Sequence, residues 1–448
     1  MRDRHGGMRG IRTFEANVEG GLHMRNAMRQ GPWPWVWCFS SLCLVAALAI
    51  LGPWWAGLAA AQGANCPDAI RVGLVFPMTG REGRPGTYQV EGIRLAMEQV
   101  NANGGVNVKA CGKRLPFKEI LYDDQSDQGR SVQLAERTMS SDNVVAVIGG
   151  YSTVLGEAQS VVADRYQVPW ITPGAAASAI FAQGRQWIFG TLTPVDVLGY
   201  TTMKFLGSLA DQGKLEKGLK IALAVENTDH GKDYVEGVTR WIKEHPGYFS
   251  VVFNESFQLG GTDFSGILQR VKAVNADIFL SDAHLQDYIT MHRQYTQTGL
   301  YHRIVSYGAR GPEEPARKAL GRAADYIFAG TWWEKGLPYK QVGAFAQAYK
   351  TKYGRDPDSF YPATAYDSVR ALVAAIEAAG SLDRTSVRDA LKKVRLTDSL
   401  LPGQVLEFQK NGQVLAPFVI VQNKPGDKVD FVYPTDTQTG EFVTKIPR

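Results

Sequence analysis

Val144-Val145-Ala146-Val147-Ile148-Gly149-Gly150-Tyr151-Ser152-Thr153-Val154 is the stretch that decides the fold. Successive side chains of a strand point to opposite faces of a sheet. Five apolar residues in a row, Val144–Ile148, therefore ask for a strand covered on both faces, as in a parallel sheet. The glycines turn the chain, and Val154–Tyr166 continues as a helix. The same alternation extends outward in both directions. Ile70–Phe76 reads as a strand, and Thr87–Asn101 as a helix with Val90, Ile93, Met97 and Val100 at helical spacing. Asn103-Gly104-Gly105 stops it. Phe117–Tyr122 is a strand, Gln128–Ser140 a helix and Val168–Thr172 a strand. Four strands separated by helices make a parallel sheet with helices on both faces.

The pattern restarts after Thr193-Pro194. Strands read at Lys220–Val225, Phe249–Phe257, Asp277–Leu280, Ile304–Tyr307 and Tyr326–Gly330, with helices between them. Helices then dominate at Tyr339–Tyr353, Tyr361–Ala379 and Ser386–Val394. Short strands at Gln404–Phe408 and Pro417–Val421 close the chain. The fold class is α/β, with two doubly wound parallel-sheet lobes. A cleft between them meets the carboxyl ends of the strands, where such sheets bind ligands.

Composition excludes several classes. With 44% hydrophobic and 21% charged residues the 448-residue chain is neither disordered nor collagen-like. No charged residue occurs between Gln30 and Cys66, Arg25 and Arg29 precede the apolar run, and Ala59-Ala60-Ala61 follows it. That is a secretory signal peptide cut after about Ala61, with a membrane anchor as the alternative. Residues 1–61 carry six arginines and three acids, so the remainder is close to neutral. Binding driven by net charge, nucleic acid included, is not expected. Cys38 and Cys43 leave with the signal. Cys66 and Cys111 remain, and in an exported protein they are expected to form a disulfide, free thiols being the alternative.

Few motifs carry chemistry. Gly80, Gly83 and Gly86 are spaced three and three, not as a dinucleotide fingerprint. Gly150-Tyr151-Ser152-Thr153-Val154 lacks the last glycine of a nucleophile elbow, and no histidine can be assigned to Ser152. Two hydroxyls and free N–H groups at a helix start suit an anion, or Ser152 or Thr153 merely caps the helix. Thr172–Ser178 offers small side chains beside that loop. Asp123, Asp124 and Asp127 read as a solvated turn or cap rather than a cation site. The seven histidines are scattered and no HExxH occurs, so neither a metal site nor a cofactor is expected. His230 and His284 stand at second-lobe strand ends, as ligand contacts or surface residues. Trp332-Trp333 walls a ligand or packs between the lobes.

Seven stretches, in order, resemble the substrate-binding proteins of ABC importers, most nearly the leucine/isoleucine/valine-binding type. They are IRVGLVFPMTG, EGIRLAMEQVNANGGV, LYDDQSD, VVAVIGGYST, QVPWITPGAAAS, GTDFSGILQRVKAVNADIFL and GQVLEFQKNGQ. The resemblance runs from about Ile70 to Val421. It implies a type I periplasmic binding fold with a hinge, lobe 1 from 66–193 and 334–402, and lobe 2 from 194–333 and 403–448. It implies no enzyme activity, a periplasmic monomer that is not membrane-embedded, hinge closure on a small molecule, and permease subunits as partners. A sensor on the same fold is the alternative role, and an exported serine hydrolase a remote one.

The resemblance places a ligand carboxylate on Tyr151, Ser152 and Thr153, with Ala175 and Ala176 from the neighbouring loop. It places second-lobe contacts near His230 and His284. The acid that holds an amino acid's ammonium falls in Tyr307-Gly308-Ala309-Arg310, where none stands. A first-loop tryptophan is replaced near Arg84-Pro85. The implied ligand therefore has a carboxylate but no obligatory amine, such as an aromatic or other organic acid, with Arg310 taking a second acidic group. Branched-chain amino acids are the alternative ligands.

Overall fold

The computed structural model describes residues 66–447. The expected signal peptide and N-terminal extension, 1–61, lie outside them. The chain opens with β1 (Ile70–Phe76), α1 (Gly83–Ala102) and a hairpin of β2 (Val106–Val108) and β3 (Lys113–Leu115). It continues through β4 (Phe117–Asp123), α2 (Gln128–Ser141), β5 (Ala146–Gly149), α3 (Thr153–Tyr166), β6 (Trp170–Thr172), the single turn α4 (Ser178–Phe181) and β7 (Ile188–Gly190). Five of these strands form one sheet in the order β4-β1-β5-β6-β7, every pair parallel. β5 is buried at every residue, as its apolar run requires.

After α5 (Val195–Asp211) come β8 (Leu219–Glu226), α6 (Asp229–Glu244), β9 (Phe249–Phe257), α7 (Ser265–Ala273), β10 (Ile278–Asp282), α8 (Leu285–Gln297), β11 (Ile304–Tyr307), α9 (Glu314–Leu320) and β12 (Phe328–Thr331). Helices α10 (Lys340–Tyr353), α11 (Tyr361–Ala379) and α12 (Arg384–Leu391) follow. The strands β13 (Arg395–Leu396), β14 (Leu406–Glu407), β15 (Val419–Lys424) and β16 (Lys428–Tyr433) end the chain. The second sheet runs β16-β15-β12-β11-β10-β8-β9. Its first-built five strands are parallel, and β15 and β16 add an antiparallel edge. The β16 strand was not expected from the sequence, and the sheet is mixed because β15 runs antiparallel to β12 and β16 to β15.

In both sheets the first strand lies between the second and the third, so the strand order reverses at that point. The crevice beyond such a switch point is where ligands sit. It falls at the ends of β1 and β5 in one sheet and of β8 and β10 in the other. Helix α11 packs along α1 on the first sheet, with Gly92 so close to Pro362 that a Cβ would lie 2.1 Å from its carbonyl oxygen. Helix α5 packs on α6 in the same way, through Gly199 and Gly237. Residues 404–414, expected with lobe 2, lie against the first sheet instead, where Gly190 N–H donates to Gly412 and Val414 N–H donates to Gly190.

Three chain segments cross between the sheets, near Thr193, Trp332 and Ala416. The Trp332 indole packs on Phe360 and Phe418, and its N–H donates to the Thr193 carbonyl at 2.9 Å. The Thr193 hydroxyl donates to the Ala416 carbonyl at 2.7 Å. The tryptophan pair packs at the crossings, with Trp333 turned edge to face onto Phe345. Cys66 and Cys111 are bonded. The bond joins the start of β1 to the hairpin before β4, and those two strands are parallel neighbours. Of the three aspartates, Asp127 caps α2 and Asp123 accepts the Met78 and Thr79 amides, whereas Asp124 is buried rather than solvated.

Candidate functional site

The first-lobe wall of the cleft is built by the loops after β5 and β6. Ser152 is the N-cap of α3, yet its side chain makes no capping hydrogen bond. Thr153 opens the helix, and its Oγ1 is buried without a partner. Both hydroxyls are therefore uncommitted at a helix N-terminus, where the peptide dipoles favour negative charge. No histidine hydrogen-bonds Ser152 among the described residues, so it lacks the base a nucleophile needs. The neighbouring loop presses close: a Cβ on Gly156 would lie 2.4 Å from Ala175 Cβ. The Ala175 amide donates to Thr172 Oγ1 at 3.0 Å, so Ala175 gives the site its small size and not a hydrogen bond. The Ala176 carbonyl is tied to Gln413 at 3.1 Å.

The second-lobe wall comes from the ends of β8, β10 and β11. Glu226 closes β8, and its Oε1 accepts the Thr228 hydroxyl at 2.6 Å while Oε2 has no partner. His230, in the first turn of α6, places Nδ1 2.6 Å from Asp282 Oδ2 at the end of β10. Burial acts to lower the His230 pKa, but Asp282 and Glu226 outweigh it and the net shift is upward. Burial raises Glu226, with Asp282 adding to the rise and His230 opposing it. His284 stands next along, its Nδ1 3.1 Å from the Arg81 guanidinium and its Nε2 unpartnered. Burial first, then Arg310, His230 and Arg81, push its pKa well below the imidazole range.

Arg310 is buried and not on the surface. Its Nη2 donates to the Tyr151 hydroxyl across the cleft at 3.3 Å, its Nε lies 3.6 Å from Glu313, and its Nη1 is free. The rings of Phe360 and Tyr361 flank it. Tyr361, at the start of α11, donates to Glu313 at 2.7 Å. Burial pushes Glu313 up to about 8 against the pull of Arg310. Tyr151 meets Tyr361 edge to face and lies 6.1 Å, centroid to centroid, from His284.

The lobes are closed on each other. Arg81 reaches from the first to Asp287 of the second at 3.4 Å, and Ser178 donates through N–H and hydroxyl to Asp233, each at 2.6 Å. Glu82 lies beside Arg81 and His284. Arg84, expected in the cleft, is 44% exposed instead, 3.9 Å from Asp358 and over the Tyr88 ring. The turn of α1 that begins at Gly83 carries it to the rim, and Arg81 and Glu82 enter in its place.

The structure brings Tyr151, Ser152, Thr153, Ala175, Ala176, His230, His284 and Arg310 to one cleft. Sequence reasoning missed Arg81, Glu82, Glu226, Asp282, Glu313 and Tyr361. A signal existed for Glu226 and Asp282, each a charge ending an apolar strand. None existed for Tyr361, which arrives from the start of a distant helix. The absence of an acid in Tyr307–Arg310 does not leave the wall without acids, because Glu226, Asp282 and Glu313 approach from adjoining elements.

The sequence model of the family described as periplasmic binding protein matches residues 69–428. The chain belongs to that family. It is a solute-binding protein and not an enzyme. It is 25% identical over 400 residues to the Leu/Ile/Val-binding protein homolog 7 of Brucella abortus, covering 86% of this chain and 97% of the relative. Its fold is that of the leucine-binding protein LivK of Thermotoga maritima, with a TM-score of 0.71, 22% identity and 82% and 98% of the two chains covered. It is also that of a Rhodopseudomonas palustris solute-binding protein solved with 3,4-dihydroxybenzoic acid, with a TM-score of 0.70, 20% identity and 81% and 95% coverage. No helix among the described residues is long and apolar enough to cross a membrane.

Proposed function

We propose that this protein captures a small carboxylate-bearing solute in the interlobe cleft and delivers it, as a periplasmic monomer, to the permease subunits of an ABC importer. One observation carries the reading. Thr153 Oγ1 on one lobe and Arg310 Nη1 on the other are buried, unpartnered and both beside Tyr151. An unmet buried donor costs about 1–3 kcal/mol, so a group that meets both gains that much from each. In this reading residues 66–193 and 334–414 are lobe 1, residues 194–333 and 415–447 lobe 2, and hinge closure creates the state that docks.

Tyr151, Tyr361 and His284 are aromatic walls that suit a flat acid, the class found on the R. palustris relative. A second reading, an α-amino acid, is favoured by Glu226 Oε2, a buried acceptor with no partner. A thermal-shift panel of benzoates, dicarboxylates, amides and leucine separates the two. A solute at a hundred times its Kd stabilises by about 2.7 kcal/mol. Stabilisation by an aromatic acid or dicarboxylate supports the first reading, and stabilisation by leucine supports the second. No carboxylate stabilising the protein defeats both.

A further inference from the structure

We propose that Glu226, His230 and Asp282 form a subsite for a divalent transition-metal ion, so that the carboxylate solute enters the cleft coordinated to the metal. The inference rests on the cleft being the solute site and deepens that reading. One donor atom from each of the three residues lies within 4.8 Å of the others, and all three residues are buried. They come from both strands at the second-lobe switch point and from α6, the helix that follows the first of them. Glu226 and His230 are four apart, but one ends a strand and the other starts a helix, so no helical metal motif marks them.

Two features argue that the cluster awaits a cation. The first is an unpartnered ligand atom. Glu226 Oε1 is held by Thr228, while Oε2 has no hydrogen-bond partner and lies 3.7 Å from the His284 ring. A carboxylate stripped of water and left half unpaired is costly unless a cation or a proton meets it. The second is the charge of the cleft. Glu82, Glu226, Asp282 and Asp287 face Arg81, Arg310 and the His230 ring that pairs with Asp282. A bare carboxylate adds a negative charge to that excess, whereas a metal carboxylate complex reduces it.

The donor types select the metal. An imidazole nitrogen with two carboxylate oxygens suits zinc, cobalt, nickel or manganese better than calcium, which takes six to eight oxygens. Three protein ligands leave coordination positions open, as a site that receives an exchangeable ligand must. Arg310 and Thr153 then hold the end of the carboxylate remote from the metal.

The test is calorimetric titration of the untagged, EDTA-stripped protein with Zn²⁺, Co²⁺ and Ca²⁺ separately. The carboxylate panel follows, with and without metal. One Zn²⁺ or Co²⁺ per chain is expected, at least tenfold tighter than Ca²⁺. Binding should fall at least tenfold in Glu226→Gln and in Asp282→Asn, while the metal-free melting temperature of the near-isosteric Glu226→Gln variant does not fall. The visible bands of bound Co²⁺ should change in His230→Gln. Arg310→Gln should keep the metal and lose the carboxylate. The subsite is refuted if neither metal binds, or if both acid variants bind metal as the parent does. It is also refuted if an α-amino acid stabilises the EDTA-treated protein through Glu226, which gives the position to an ammonium group. Metal binding without any carboxylate binding keeps the subsite and removes the carboxylate reading. Carboxylate binding indifferent to metal does the reverse.

Discussion

Replacing Arg310 with glutamine separates what this residue gives to binding from what it gives to the fold. Its Nη1 makes no hydrogen bond inside the protein, so a ligand carboxylate meets a donor held in place by Tyr151 and the flanking Phe360 and Tyr361 rings. A hydrogen bond to a charged group contributes about 1.5–3 kcal/mol. At about 1.4 kcal/mol per factor of ten, affinity should fall roughly 10- to 150-fold. The cost to the fold is smaller than the 3.6 Å approach to Glu313 suggests. Two full charges at that distance attract by about 4–5 kcal/mol at an effective dielectric of 20. Burial raises Glu313 to about 8, however, so at pH 7 its carboxyl is largely protonated and little of that attraction is present. The variant should therefore melt close to the parent at pH 7 and bind far more weakly. Calorimetric titration with a stabilising carboxylate, together with a melting curve, checks both. An affinity within threefold of the parent refutes the placement of the ligand against Arg310. A large fall in melting temperature at pH 7 refutes the neutral Glu313.

Glu313 carries a pH prediction of its own. Its folded pKa, about 8, lies above the ordinary 4.5, so its contribution is complete below about 4.5 and is lost as pH rises through 8. The span is worth on the order of 4 kcal/mol, and Glu313→Gln should remove that slope, read as urea midpoints at about pH 5 and pH 9. Equal slopes in parent and variant would show that Glu313 ionises normally. Thr153→Val removes one hydroxyl at the carboxylate end and should weaken binding by about 0.5–1.5 kcal/mol with little change in melting. Reducing the Cys66–Cys111 bond opens a loop with a sequence separation of 45 and should lower stability by about 4 kcal/mol, measured as melts with and without reductant.

Several residues of the proposed site were legible from residue types. Ser152 and Thr153 could be assigned to an anion because a buried apolar strand must end in a turn, and the helix after it presents free N–H groups. His230, His284 and Arg310 could be placed at strand ends by counting the alternation. Arg84 could not be placed, because a one-turn difference in where α1 begins decides whether Arg81 or Arg84 points inward. Ala175 stands in the loop after β6, and its amide is taken by Thr172, which residue types could not show. Segment 404–414 was assigned to the wrong sheet because two-residue strands carry no period.

The sequence by itself determined the parallel interior strands of the two sheets and the expectation that Cys66 pairs with Cys111. These follow from local periodicity and from the even count of cysteines in an exported chain. Tertiary structure alone decided the charge balance of the cleft. Glu82, Glu226, Asp282, Glu313 and Tyr361 come from five separate stretches, and only Glu226 and Asp282, as charges ending apolar strands, differ in local pattern from solvated surface residues. Closure of the two lobes removes them from water, and desolvation then turns scattered polar side chains into a site that needs a partner.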